Sequence, residues 1–146
     1  MKEPPLWPVE VGARDALRVL VVQPMRVPFL TRAIRSSVGW DVVAAESRGS
    51  RPDAVRRTHS VLDGELLGVR TELDAAGFWA GGFKEELPQE LHPCVWLIEG
   101  IQQGRYSFAV AYAPVETVKG ERLRAAALEL LRIGGLDAES VGQQCP

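Results

Sequence analysis

Runs of apolar and β-branched residues, separated by turn residues, predict a sheet in the first half of the chain. The run "ALRVLVV" (16–22) predicts a first strand that Arg18 alone interrupts with a charge. Further strands are predicted at 28–37, 40–47 and 54–61, where proline, glycine or a polar loop separates each run from the next. Four consecutive strands therefore open the predicted fold.

The period of the apolar positions changes after these strands. Apolar residues recur at spacings of three and four, which predicts a helix over 63–76 that Gly77 ends. A second helix is predicted from near 119 to Ile133. Its apolar stripe comprises Leu123, Ala126, Ala127, Leu130 and Leu131. Each helix has one apolar face that has to pack on the sheet.

The clearest pattern is a predicted β-hairpin, "CVWLIEGI" (94–101) and "RYSFAVAY" (105–112), with Gly104 in its turn. Large residues occupy alternate positions of the second strand, and we call them the aromatic row: Tyr106, Phe108, Val110 and Tyr112. We expect the aromatic row and Trp96 to face the helices and form core. The alternative is that the helices cover the opposite, alanine-lined face, which would leave the row as a binding or dimerisation surface.

These elements predict one α+β domain over residues 1–146. The predicted order is β-β-β-β-α-β-β-α, a single antiparallel sheet of about six strands with two helices packed on one face. An irregular N-terminal arm is expected at 1–14 and an irregular tail at 137–146. A hydrophobic share of 46% and a charged share of 25% are typical of a globular protein of this length.

Several motifs resemble those of a loose group of small bacterial α+β proteins with no assigned activity. The matching elements are "GFW" (77–79), "WLIEGIQQGRY" (96–106) and "LRIGGLD" (131–137), with "RVLVV" and "VPFLTRAIR" upstream within 18–35. The resemblance implies the α+β fold and a bacterial origin. It implies no reaction.

Charge is unevenly distributed along the chain. Residues 1–57 hold ten of the 17 Lys and Arg residues but six of the 19 Asp and Glu residues. Arginine suits planar contacts with phosphate or carboxylate, so a candidate binding set is Arg32, Arg35, Arg56 and Arg57. The alternative interpretation is that the two halves fold together and their charges pair.

Glu99 is the one carboxylate within the apolar run of the hairpin. It is a candidate binding residue with three interpretations. It pairs with a donor on another strand, for which Arg57 or His59 would serve; it reaches solvent at the sheet edge; or it acts as a general acid with His59 or His92. No nucleophile-elbow, phosphate-loop or zinc-protease motif occurs, so no catalytic residue is predicted.

Cysteine and histidine are too few to predict a cofactor or metal. Cys94 and Cys145 are expected not to form a disulfide framework, and with two histidines they lack zinc-ligand spacing. The N-terminus carries acids and prolines rather than a signal sequence, and the apolar runs are too short to span a bilayer. We therefore expect a cytoplasmic protein without a membrane partner.

Three functions remain open at this point. The first is a non-catalytic interaction module that binds another protein, in concrete form a small cytoplasmic bacterial immunity or accessory protein. The second is an arginine-rich sheet that binds single-stranded nucleic acid or an anionic ligand. The third is an enzyme that uses Glu99 with a histidine.

Overall fold

The computed structural model describes residues 15–24, 26, 28–47, 54–89 and 93–146, and for Ser47 and residues 54–56 the backbone alone. The predicted N-terminal arm lies outside the described residues. The strands are β1 (Ala16–Val22), β2 (Phe29–Arg35), β3 (Trp40–Ser47), β4 (Ala54–Val61), β5 (Phe83–Lys84), β6 (Val95–Gln102) and β7 (Arg105–Tyr112). The helices are α1 (Leu67–Ala75), α2 (Val118–Ile133) and α3 (Ala138–Gln144), with 3₁₀ turns at Asp63–Leu66 and Phe78–Ala80.

The described strands form one mixed sheet in the order β4-β3-β2-β1-β6-β7-β5. The α+β class is confirmed and each of the six predicted strands is present, but the prediction of a wholly antiparallel sheet with two helices is wrong, because the described chain has a mixed sheet of seven strands and three α-helices. All six pair antiparallel with their neighbours, and β6 is central, between β1 and β7. The sheet has a seventh strand, because the short β5 pairs parallel with β7. Two residues are too few for an alternating pattern to reveal a strand.

The prediction of an irregular tail is wrong, because the described chain ends with the helix α3. Asp137 caps this helix and accepts a hydrogen bond from the Ser140 N–H at 3.0 Å. Arg124 of α2 donates to the Gly142 carbonyl at 2.7 Å, which joins the two helices. Serine and glycine are weak helix formers, so tertiary contacts rather than local propensity stabilise α3.

A disulfide joins Cys94, just before β6, to Cys145, just after α3, with Cα atoms 5.7 Å apart. The expectation that these cysteines form no disulfide framework is wrong. They are 51 residues apart in sequence, and the fold places α3 against the start of β6. Sequence spacing alone carries no information on such a long-range approach.

The helices pack on the alanine-lined face of the sheet, so the expected orientation of the hairpin is also wrong. Ala109 and Ala111 of β7 lie in the main core with Ala126 and Ala127 of α2. Trp96 pairs with Ala111, and directly paired residues of antiparallel strands share a face, so Trp96 lies on the helix side. The aromatic row points the other way. Small side chains on β7 allow α2 to approach the sheet closely.

The sequence segments "GFW" and "WLIEG" contact each other at Gly100. A side chain at Gly100 would lie 2.8 Å from the Phe78 ring and 2.6 Å from the Trp79 ring. Phe78 is fully buried, and Trp79 meets it edge to face with ring centroids 4.8 Å apart. The absence of a side chain at Gly100 therefore lets the segment after α1 pack directly on the sheet.

No helix within the described ranges is long and apolar enough to cross a bilayer.

Candidate interaction surface

The sheet face opposite the helices carries four rows of paired residues across β1, β6 and β7. Each row runs from β1 through β6 to β7, and we call their positions the open face: Ala16–Ile101–Tyr106, Arg18–Glu99–Phe108, Leu20–Leu97–Val110 and Val22–Val95–Tyr112. The α-helices of the described chain pack on the other face. These helices therefore leave the open face uncovered, but Ala16 and Ile101 on it are fully buried in a small second core cluster with Ile34 and Tyr106.

The open face is apolar apart from one charged row. Leu20, Leu97 and all four members of the aromatic row are half-buried, and Val22 is 41% exposed. The Tyr106 and Phe108 rings stack with centroids 6.3 Å apart. An antiparallel sheet with one face toward water normally carries polar residues on that face. The open face is therefore more apolar than is usual for a sheet face that the helices do not cover.

A buried ion pair lies at the centre of the open face. Arg18 and Glu99 occupy paired positions on β1 and β6, and the Arg18 guanidinium Nη1 donates to Glu99 Oε2. Their side chains are only 7% and 4% exposed. The Tyr106 hydroxyl donates to the second carboxylate oxygen, Oε1, at 2.9 Å. Glu99 is thus the paired strand residue that the sequence suggested, but its partner is Arg18 rather than Arg57 or His59.

Arg18 was not among the predicted site residues, although the sequence held a signal for it. It is the one charge in the strand "ALRVLVV", as Glu99 is the one charge in "CVWLIEGI". Two lone opposite charges in two apolar strands indicate a pair, since an isolated buried charge is very costly. Pairing of β1 with β6 could not be read from the sequence.

The contact with Glu99 changes the titration of Tyr106. Burial, followed by the hydrogen bond to the Glu99 carboxylate and its charge, raises the pKa of the Tyr106 phenol from 10.0 to about 12. The folded-state pKa therefore exceeds that of the unfolded chain. Stabilisation from this contact is fully present below pH 10 and is lost as the pH rises through about 12.

We therefore expect one of the two tyrosines to ionise with an apparent pKa near 12 in an absorbance titration of the folded protein. Tyr106→Phe should abolish this late transition, and the matched variant Tyr112→Phe should retain it. The free energy of unfolding should fall between pH 10 and 12 more steeply in wild type than in Tyr106→Phe. A late transition that survives Tyr106→Phe would contradict the assignment.

The structure brings no histidine to Glu99 within the described residues. His59 lies on the helix side of β4, where its Nε2 is 2.8 Å from the Ile133 carbonyl oxygen. His92 lies outside the described residues. The described chain also holds no group of three or more His, Cys, Asp or Glu side chains able to bind a metal ion.

The four predicted binding arginines do not form one cluster. Arg35 pairs with Asp63 and lies 5.4 Å over the Trp40 ring, and Arg57 donates to the Gly135 carbonyl. Arg32 lies opposite Arg18 in the strand register of β1 and β2, and its side chain has an interaction partner of its own. Arg56 belongs to β4, and its side chain lies outside the described part of the chain.

Asp63 receives contacts from several of these groups. The Trp40 indole N–H donates to its carboxylate at 2.9 Å, and Arg35 and Arg70 lie beside it. The hydrogen bond from Trp40, with the two guanidinium charges, holds the pKa of the Asp63 carboxyl below its usual value. Arg35 therefore links the end of β2 to the turn before α1.

Comparison with known proteins adds no relative to this picture. The chain significantly matches no protein-family model, no curated protein and no solved structure. The resemblance to small bacterial proteins stays a prediction, and the function has to be inferred from the chemistry of the surface.

Proposed function

We propose that this protein is a non-catalytic interaction module that binds another protein through the open face. The observation that carries the proposal is an apolar, aromatic sheet surface that the α-helices of the described chain leave uncovered. Contiguous apolar patches with a polar rim mark protein contacts in folded domains. A small bacterial immunity or accessory protein is the concrete form of this function.

The chemistry of the open face favours a folded protein as its partner. Its central charges, Arg18 and Glu99, neutralise each other, and Arg32, which continues this row on β2, already has an interaction partner. The aromatic row supplies large rigid side chains, which are enriched at the centres of protein interfaces. An apolar face of a partner protein is the complementary surface.

The second candidate, binding of single-stranded nucleic acid, has weaker support. Such a site needs cations that follow the phosphate backbone beside aromatic rings. Arg35 and Arg57 instead bind groups of this chain on the helix side, away from the aromatic row. Catalysis by Glu99 has less support again, because the described part of the structure places no histidine beside it.

The experiment is affinity capture of the native protein from its host, with two open-face variants. Wild type should capture one stoichiometric protein partner, and Val110→Arg and Phe108→Ala should each lose it. Each substitution should lower the affinity for the partner about thirtyfold (about 2 kcal/mol). Val38→Arg is the matched control, because Val38 is 79% exposed in the β2–β3 turn. It should retain the partner.

Thermal unfolding separates lost binding from lost folding. Phe108→Ala should keep a melting temperature near that of wild type, whereas Phe78→Ala, which empties a fully buried position, should cost about 3–5 kcal/mol. If Phe108→Ala destabilises the fold as much as Phe78→Ala, the aromatic row is core and the proposal fails. It fails too if Val110→Arg and Val38→Arg capture the same partner equally, or if the partner is a second copy of the chain.

A further inference from the structure

A cleft of about 610 Å³ lies beside the sheet edge formed by β5 and β7, between residues 85–89 and 112–117. We call it the acidic cleft. Its apolar lining comprises Phe83, Leu87, Pro88, Tyr112 and Pro114, and its polar lining comprises Glu85, Glu86, Gln89, Glu116 and Thr117. This volume lies in the range of established ligand sites.

Hydrogen bonds hold the floor of the acidic cleft in place. The Glu85 N–H donates to the Val110 carbonyl at 3.0 Å, and the Glu85 carboxylate accepts from the Tyr112 N–H at 2.9 Å. Its other oxygen accepts from the Thr117 hydroxyl at 3.1 Å, and Thr117 caps α2. Glu85 therefore continues the sheet edge beyond β5 and ties it to a helix. The cleft is preformed rather than a gap between loose segments.

The apolar lining is unusually accessible. Leu87 is 69% exposed, although it lies in the cleft beside two prolines. Phe83 is half-buried, and the Lys119 ammonium lies 4.4 Å from its ring centroid. Grooves lined by aromatic rings bind proline-rich extended peptides, because such peptides lose little conformational entropy on binding.

The charge of the acidic cleft favours a cationic ligand over an anionic one. The cleft lining includes three glutamates and, among its described residues, neither lysine nor arginine. Glu85 is already engaged, but Glu86 and Glu116 make no hydrogen bond or ion pair with other described residues. Lys119 is the described cation in contact with the lining, through the Phe83 ring, and Lys84 follows Phe83 in β5. A phosphate-bearing ligand would meet like charge here, and a cationic one would meet opposite charge.

We propose that the acidic cleft binds an extended segment of a partner protein in which arginine or lysine alternates with proline or aliphatic residues. The apolar residues of that segment pack against Leu87 and Tyr112. Its cations face Glu86 and Glu116. This surface adjoins the open face at Tyr112 but does not depend on the proposed function, since it has its own geometry and charge.

The test uses a fluorescent synthetic peptide of about ten residues that repeats Arg-Pro-Leu, with a Glu-Pro-Leu peptide as its control. The arginine peptide should bind in an anisotropy titration, more weakly as salt increases, and the glutamate peptide should not. Glu86→Gln/Glu116→Gln should weaken binding about tenfold, as expected for two surface ion pairs. Amide signals of Leu87 and Thr117 should shift in NMR spectra as the peptide is added.

A matched double variant controls for net charge. Asp74→Asn/Glu139→Gln removes two exposed carboxylates on α1 and α3, outside the cleft, and should leave the affinity unchanged. Equal losses in the two double variants would overturn the proposal, because binding would then follow net charge alone. Equal binding of the two peptides, or no binding at about 1 mM arginine peptide, would overturn it as well. No partner protein enters this experiment, so its failure would leave the open-face proposal untouched.

Discussion

Glu99→Gln will lower the free energy of unfolding by about 3–5 kcal/mol, the range found when one member of a buried ion pair is removed. The substitution keeps the size of the side chain but leaves the Arg18 guanidinium buried without its countercharge. The buried Nε of Arg18 has no hydrogen-bond partner even in the wild-type protein. No other contact of Arg18 would therefore offset the loss of the Glu99 charge. Chemical denaturation near neutral pH measures the loss.

Two controls separate the lost charge from the lost hydrogen bond. Tyr106→Phe removes one donor to Glu99 and keeps the ion pair, so it should cost only about 1 kcal/mol. Arg18→Met/Glu99→Leu replaces the pair with apolar side chains and should have nearly the stability of wild type. A Glu99→Gln variant within about 1 kcal/mol of wild type would show that the pair is not buried in the native protein.

Removing the disulfide should have an effect of similar size. The bond closes a loop across a sequence separation of 51 residues, for which the loss of unfolded-chain entropy corresponds to about 4 kcal/mol of stability. Thermal unfolding of Cys94→Ser/Cys145→Ser, and of wild type in a thiol reductant, should show the same decrease in melting temperature. Hydrogen exchange should show its largest increase in α3, which the bond anchors to the sheet.

The redox state of the cysteines can be measured directly on protein isolated from its host. We expect no free thiol by mass spectrometry under alkylating conditions, since both cysteines are buried and bonded to each other. Disulfides persist in oxidising compartments and are rare in the cytosol. The pair therefore argues against the cytoplasmic location predicted from the sequence. Two alkylated thiols and an unchanged melting temperature in reductant would restore that prediction.

The elements of this fold were predictable because their signals are local. An apolar run identified β6, alternation identified β7, and spacings of three and four identified α1 and α2. Gly104, with a φ of 77°, lies in the predicted hairpin turn because a residue without a side chain takes this conformation without strain. Each of these signals depends on residues within one turn or one strand.

The candidate surface was predictable only as one of two alternatives. Alternation separates the residues of β7 into two faces but does not say which one the helices cover. A rule that large apolar residues face the core favoured the aromatic row. The fold instead uses Ala109 and Ala111, because their small side chains let α2 lie close to the strands.

Three other features depend on segments that are distant in sequence. Arg18 and Glu99 are 81 residues apart and meet only because β1 pairs with β6. Cys94 and Cys145 meet because α3, packed on α2, ends beside the start of β6. In the acidic cleft, Glu85 bridges the end of β7 and the start of α2, which follow it by 27 and 32 residues. Local patterns determine which elements form, whereas side-chain volume and long-range strand pairing determine which face is covered and which charges meet.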